Sequence, residues 1–256
     1  MSIPFLESPA LKIGTTIRHG FFGRRGGHSL GDFASLNVSF AMGDSEPAVR
    51  RNRADVAAAV GFSPDALMVM RQVHSSRVVR IEGLAPDIGT IEADGMVTAM
   101  PGLLLGILTA DCAPVLLVDP EARVIGAFHA GWRGAVDGIP GRTVEAMRQL
   151  GADPARIIAA IGPTISQPNY EVGPDFAASL LAQHHDAANR LSLTPGGREH
   201  FDLPGFVFDR LADAGVGRIH DLHECTYAGP RKYFSHRHAT HNAIRTGRQI
   251  AVIGLS

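Results

Sequence analysis

The chain has 256 residues, 45% of them hydrophobic, with 24 lysines and arginines against 25 acidic residues and a formal net charge of −1. That balance, without long basic runs, argues against a dedicated nucleic-acid binder, and no run of about 18 apolar residues is present to span a membrane. Two cysteines do not make a disulfide framework, and the start, Met1 to Gly14, lacks a basic segment followed by an apolar one, so a reducing cytoplasm is the expected location.

In chain order, Ile13 to Phe22 reads as a first strand. It ends in Gly23-Arg24-Arg25-Gly26-Gly27, which lacks the Lys and Ser/Thr of a P-loop and is read as a surface loop. Asn37 precedes a turn at Gly43-Asp44. Asp44 or Ser45 can cap a helix starting at Glu46-Pro47, with Val49, Val56, Ala57 and Val60 as its apolar stripe and Gly61 as its stop. That helix reads as scaffold. Leu67 to Met70 is a short buried strand running into Arg71-Gln72-Val73-His74-Ser75, and Val78 to Ile81 is the next, so His74 stands at a strand end facing a cleft. Ala93-Asp94-Gly95 is a turn into the strand Met96 to Thr98, and Leu103 to Leu108 is a buried strand.

Thr109 to Gly134 is expected to form a β-hairpin. The runs Pro114 to Val118 and Val124 to Phe128 flank Asp119-Pro120-Glu121-Ala122, a type I turn signal. A symmetric turn pairs Asp119 with Ala122 and sets Cys112 directly opposite His129, with Cβ atoms about 4.5–5.5 Å apart. That spacing suits one shared metal ion, given about 2.3 Å for Zn–S and about 2.0–2.1 Å for Zn–N. A one-residue bulge would break it. His74 would complete a three-ligand site with an open fourth position, the arrangement of catalytic zinc.

Beyond Gly134, Thr143 to Leu150 is a helix ended by Gly151, and Ile157 to Ile161 a strand. Pro174 to Gln183 is an amphipathic helix with Phe176, Leu180 and Leu181 inward, and Leu191 to His200, polar and rich in Gly and Pro, is read as a loop. Phe206 to Ala214 is a helix closed by Gly215, and Gln249 to Leu255 is the last strand. Arg231, Lys232 and Arg237 crowd cations around Tyr233 and Phe234, which suits an anionic substrate with an aromatic to stack a base. No internal repeat or low-complexity linker divides the chain, which favours one domain.

These residues carry a resemblance. QVHS at Gln72 to Ser75, ADG at Ala93 to Gly95, TADCAPVLL at Thr109 to Leu117 and HAGWRG at His129 to Gly134 resemble the laccase-domain, or multicopper polyphenol oxidase, family, whose members are also read as purine nucleoside phosphorylases. IGPTI at Ile161 to Ile165, YEVG at Tyr170 to Gly173, CT at Cys225-Thr226 and FSHR at Phe234 to Arg237 extend the likeness along nearly the whole chain. The resemblance implies an α+β fold of mixed β-sheets layered with helices, an α/β/β/α sandwich in a single domain. It also implies a metal held by His74, Cys112 and His129, and both phosphorolysis and deamination, on adenosine, inosine, guanosine and methylthioadenosine. The chain departs from the pattern near its end, where His238 replaces a second arginine and Ala239 to Arg245 is inserted.

The ion expected is zinc, with copper as the alternative. Asp111 is the candidate proton carrier. Arg133, four residues after His129 across a glycine turn, is the candidate to hold phosphate or the charge on a departing purine. Asn37, Arg71, Arg231, Phe234 and Arg237 are the candidate substrate contacts. Three rival readings compete. Multinuclear copper oxidation would need repeated His-x-His pairs, and of 12 histidines only His236-Arg237-His238 has that spacing. A metal-free hydrolase would use Cys112 as nucleophile and His129 as base, which fits a peptidoglycan-editing name attached to some relatives. A structural zinc module would need a fourth ligand, for which only Cys225 remains. The partners expected are small molecules, purine nucleosides and phosphate, with no nucleic acid or membrane, and the protein is expected as a monomer or small homo-oligomer.

Overall fold

The computed structural model describes residues 3–85, 87–193 and 197–256. In chain order the strands are β1 (Phe5–Leu6), β2 (Ile17–Phe22), β3 (Leu67–Met68), β4 (Val78–Arg80), β5 (Gly95–Thr98), β6 (Leu104–Thr109), β7 (Ala113–Asp119), β8 (Val124–Ala130), β9 (Ile158–Ile161), β10 (Glu171–Val172), β11 (Leu191–Leu193), β12 (Glu199–Phe201), β13 (Arg218–Asp221) and β14 (Gln249–Leu255). The helices are α1 (Glu46–Ala59), α2 (Trp132–Val136), α3 (Ile139–Gln149), α4 (Pro174–Gln183), α5 (Leu203–Asp213) and α6 (His236–His241). A five-stranded sheet has the order β1-β2-β14-β6-β3, a six-stranded sheet the order β13-β9-β7-β8-β5-β4, and a small sheet the order β10-β12-β11. The two large sheets are mixed, because β3 pairs parallel to β6, β4 to β5 and β13 to β9 while the other ladders are antiparallel.

Alternation along the strands builds the layers. In β6, Leu105 and Ile107 join Ala251 and Ile253 of β14 in a core shared with Leu116 and Val118 of β7 and Ile125 and Ala127 of β8. That core lies between the two large sheets. The opposite parity, Leu104 of β6 with Ile250 and Val252 of β14, packs under α1 through Val56 and Ala57. On the far side, Val115, Leu117, Val124 and Phe128 meet Val144 and Met147 of α3 and Phe206, Val207 and Leu211 of α5. Because β7 and β8 have both faces covered, every residue in them is buried, and the sequence there reads as an unbroken apolar run. The result is the expected α+β arrangement, with helices outside two stacked sheets.

The central hairpin forms with a different register from the symmetric one. Asp119 pairs with Val124 and Pro114 with His129, so the loop is Pro120 to Arg123. Asp119 builds that loop, its Oδ1 accepting from the Glu121 and Ala122 amides at 2.9 and 3.1 Å, and Arg123 closes it with a positive φ of 54°. Relative to direct opposition the slip is two residues. A slip of one would have turned His129 to the other face, whereas a slip of two keeps it on the face of Cys112. Cys112, just before β7, is therefore the diagonal neighbour of His129, which side chains can still bridge.

Other departures have local causes. The segment read as a loop from Leu191 to His200 contains β11 and β12, which pair antiparallel, while residues 194–196 within it lie outside the described residues. Glycines in Gly131-Trp132-Arg133-Gly134 suggested a turn, but the short helix α2 begins there with Gly131 as its extended N-cap. The strand expected from Ile13 is β2, which starts only at Ile17, after Gly14 takes a positive φ of 63°, and β1 precedes it. β13 escaped notice because Arg218-Ile219-His220-Asp221 is a polar edge strand with no alternation to read.

Past β3 a side chain carries the sheet on. The Gln72 amide nitrogen donates to the Leu108 carbonyl at 2.7 Å, and its oxygen accepts from the Leu108 amide at 2.8 Å. Gln72→Ala is expected to lower stability in urea unfolding by about 1–2 kcal/mol, because both Leu108 groups lose their partners. An unchanged midpoint and slope would mean that water replaces the side chain without cost.

Candidate metal centre

Three segments converge at one end of the six-stranded sheet: the chain between β3 and β4 brings His74, the residue before β7 is Cys112, and His129 lies in β8. One ligand atom from each lies within 4.8 Å of the others, and His74 Nε2 is 3.8 Å from Cys112 Sγ. The imidazoles meet edge to face with centroids 4.8 Å apart. His74 is exposed with a positive φ of 62°, Cys112 is partly covered and His129 is buried. One thiolate and two imidazoles, with no fourth donor of this kind close by among the described residues, are a donor set that fits a single zinc or copper ion with an open position.

The unforeseen residue is Asp94, from the Ala93-Asp94-Gly95 turn, which is completely buried. Its Oδ1 accepts from the His74 amide at 3.0 Å and lies 2.9 Å from His129 Nδ1. Its Oδ2 accepts from the amides of Val73 and Ser75 and from the Ser75 hydroxyl. A carboxylate partner fixes the His129 tautomer with the proton on Nδ1, which leaves the Nε2 lone pair for an ion. The same carboxylate holds the loop that carries His74. The only available sequence signal was an aspartate in a turn beside a glycine.

Charge is concentrated here. Burial pushes the Cys112 thiol up, but His129 and His74 beside it outweigh that and bring it down to about 6. Burial favours neutral His129, yet the Cys112 thiolate and Asp94 raise it to about 9. Burial likewise opposes ionised Asp94, and the donors on His129 and Ser75 lower it to about 2. Sulfur and imidazole thus favour the thiolate–imidazolium form, and an ion bound here would take the place of the His129 Nε2 proton.

The ligands lie in a cleft of about 1180 Å³ that is also lined by Arg71, Gln72, Thr109, Arg248, His236 and, from α1, Arg50 and Arg53. Arg71 pairs with Glu92 at 3.1 Å. Asn37 is wholly buried, and its side chain donates to the Ser39 carbonyl and Asp44 and accepts from the amides of Ser39 and Arg248. It shapes the wall from behind. Asp111, with φ 92°, accepts from Thr226 Oγ1 at 2.6 Å on one carboxylate oxygen and from the Arg237 amide at 2.7 Å on the other. Arg133 is exposed, its guanidinium 4.8 Å from the Trp132 ring. Arg237 donates to the Glu171 carbonyl and lies 5.5 Å from the Tyr170 ring. Burial is the main cause that raises the Tyr170 phenol, with Cys112 and Asp111 acting in the same sense and Arg237 and Arg133 against it.

Phe234 and Arg231 are not brought to the cleft. Phe234 is fully buried with the Arg24 guanidinium 4.6 Å over its ring, and the exposed Arg231 gives its carbonyl to Arg25. Arg24 itself donates to the carbonyls of Ala34, Asp32 and Pro230, so the glycine-rich loop is tied down by its arginines. Cys225 lies apart, its sulfur accepting from Ser166 Oγ at 3.0 Å and from Asn169. Nothing local in the chain signals that α1, read as scaffold, supplies two cleft arginines, Arg50 and Arg53.

Residues 18–256 match the family model described as multi-copper polyphenol oxidoreductase laccase. A Deinococcus radiodurans protein named purine nucleoside phosphorylase is 45% identical over 253 residues, which are 99% of this chain and 93% of that one. A Corynebacterium glutamicum protein of the same name is 37% identical over 240 residues, 93% of this chain and 94% of its own. Among solved structures, a Neisseria meningitidis protein of the DUF152 family superposes with a TM-score of 0.87 at 31% identity, covering 100% of both chains.

Asp94→Asn replaces an acceptor with a donor against His129 and is expected to weaken divalent-metal binding about ten- to a hundredfold in a chelator competition, with the far-UV circular dichroism retained. Gly131→Ala is expected to weaken it as well, because the added Cβ would lie 2.6 Å from His74 Cδ2 and 3.2 Å from Cys112 Sγ. Wild-type affinity in both variants would show that neither ring orientation nor close backbone approach governs the site.

Proposed function

The chain belongs to the multi-copper polyphenol oxidoreductase laccase family, and from that membership and the geometry of its cleft we propose that it is a zinc-dependent purine nucleoside phosphorylase that also deaminates adenosine. The observation that carries this reading is the convergence of His74, Cys112 and His129 in a large cleft whose walls are rich in arginine. Its volume accommodates a nucleoside together with an anion. The names of the relatives from Deinococcus radiodurans and Corynebacterium glutamicum support the same class of reaction.

Three protein ligands of mixed sulfur and nitrogen character favour zinc, and a bound ion would supply Lewis acidity at the open position. The chain's own residues do the rest. Asp94 keeps Nε2 of His129 directed at the ion and anchors His74, so the site is organised before substrate arrives. In phosphorolysis a phosphate oxygen bonds to C1′ as the C1′–N9 bond breaks. The bonding pair leaves on the purine, and the proton of hydrogen phosphate ends on the base. Arg133, exposed beside Trp132, offers a cation for phosphate or for the purine as it departs, while Arg71 on the cleft wall is paired with Glu92. In deamination, water adds its oxygen at C6 and ammonia leaves.

A specific observation counts against multinuclear copper oxidation: among the described residues only one group of three or more potential ligands is close enough to share an ion. A metal-free hydrolase built on Cys112 and His129 is separated by metal removal. The purified protein is expected to carry about one zinc per chain, and Cys112→Ala to remove both metal and activity. Adenosine incubated with phosphate is expected to yield adenine and ribose 1-phosphate on chromatography, with inosine as the product of deamination. Unchanged adenosine with and without phosphate, from protein carrying its zinc, would overturn the nucleoside assignment. Activity that survives loss of the metal would instead favour the cysteine hydrolase.

A further inference from the structure

Four arginines line the cleft, and they fall into two kinds. Arg50 pairs with Glu46 and Arg71 with Glu92, so their charges are already answered. Arg53 and Arg248 have no carboxylate within ion-pair distance among the described residues. Arg53 donates from Nε to the Val38 carbonyl at 2.8 Å, and Arg248 donates from Nη1 to the Gly247 carbonyl at 3.0 Å. Asp65, a carboxylate on the same wall, pairs with neither.

One residue holds the two arginines together. The Val38 carbonyl takes Arg53 Nε, and the Val38 amide donates to the Arg248 carbonyl at 3.1 Å. The Arg248 amide in turn donates to Asn37 Oδ1 at 2.9 Å. The Arg53 guanidinium lies over the Phe40 ring at 4.5 Å, which fixes its plane. Arg53 and Arg248 are only partly solvated, and burial is the main influence lowering both guanidinium groups, Arg53 to about 10. Cys112 and Asp111 act on Arg248 in the opposite sense, and both arginines line the cleft that holds His74, Cys112 and His129.

Two half-buried guanidinium groups, each with one donor used and no ion-pair partner among the described residues, invite a tetrahedral dianion that takes several hydrogen bonds at once. From this geometry we infer that Arg53 and Arg248 form the seat of the co-substrate phosphate, beside the metal ligands. The inference rests on the phosphorolytic reading and adds to it the residues that select the anion. A free phosphate and the 5′-phosphate of a nucleotide share this chemistry, so both are tested.

The experiment titrates inorganic phosphate and, separately, adenosine 5′-monophosphate into the metal-loaded wild type, Arg53→Gln and Arg248→Gln, and measures the phosphate and adenosine KM of phosphorolysis. Each substitution is expected to raise the dissociation constant and KM for phosphate about tenfold or more, because a charge-assisted contact is lost. The adenosine KM is expected to stay within about a factor of two, with metal content unchanged. Arg53→Lys and Arg248→Lys, which keep the charge without the fork, are expected to recover part of the loss and guard against misfolding. Phosphate affinity indifferent to both arginines, in variants that keep their metal, overturns the seat even if the wild type performs phosphorolysis. Weakened phosphate binding in the variants beside a wild type that turns over no nucleoside keeps the seat and removes the phosphorolytic reading. Loss of nucleotide binding alone assigns the arginines to a 5′-phosphate and overturns their role toward the co-substrate.

Discussion

Asp94 is the group on which the site depends. Its buried carboxylate collects three backbone amides, a serine hydroxyl and the His129 ring. A carboxylate at 0% exposure is costly unless its lone pairs are answered, and here the groups that answer them are those that must be held still. Each hydrogen bond to a charged group is worth roughly 1.5–3 kcal/mol net. The cluster is therefore strong enough to keep His74 in a left-handed backbone conformation that a non-glycine residue rarely adopts. His129, buried in β8, has no such strain; it needs only the correct tautomer, which the same oxygen supplies.

The hairpin shows what the sequence discloses about such a site and why. Two apolar runs flanking Asp119-Pro120 were enough to place β7 and β8, and the period of two in a strand was enough to put Cys112 and His129 on one face. The exact pairing was not legible, because loop length depends on whether Asp119 ends the strand or opens the turn. It does both: it pairs with Val124 while its side chain caps the loop. The conclusion survived because the error was an even number of residues. Layering was legible for the same reason, since β6 and β14 alternate cleanly between two cores.

What the sequence withheld is contact between residues far apart in the chain. Arg53 reads as an ordinary solvated charge on a helix whose other face is apolar, and nothing local says that Val38 binds it next to Arg248. Asn37, a candidate substrate contact by sequence, has its amide engaged by Ser39, Asp44 and Arg248. A buried, fully satisfied amide fixes backbone, and this one fixes the segment that joins Arg53 and Arg248. Phe234, a candidate to stack a base, has a cation on its face, but that cation is the half-buried Arg24 of the glycine-rich loop and the ring itself belongs to the interior. A cation beside an aromatic in sequence does not tell which side of the surface the pair will occupy.

Cys112 is held from its other side by Asp111. That residue takes a φ of 92°, a conformation which persists only where the surroundings over-determine it, and they do. Its carbonyl accepts from the Ile165 amide and the Thr164 hydroxyl, and its carboxylate from the Thr226 hydroxyl and the Arg237 amide. Three distant segments thus converge on the residue before the thiolate. Each carboxylate oxygen accepts one hydrogen bond, and together with the carbonyl contacts these fix the backbone that carries Cys112. The two aspartates divide the work: Asp94 sets the imidazoles and Asp111 the sulfur. Neither is a ligand, yet together they bring three donors from separate parts of the chain to within the span of a single ion.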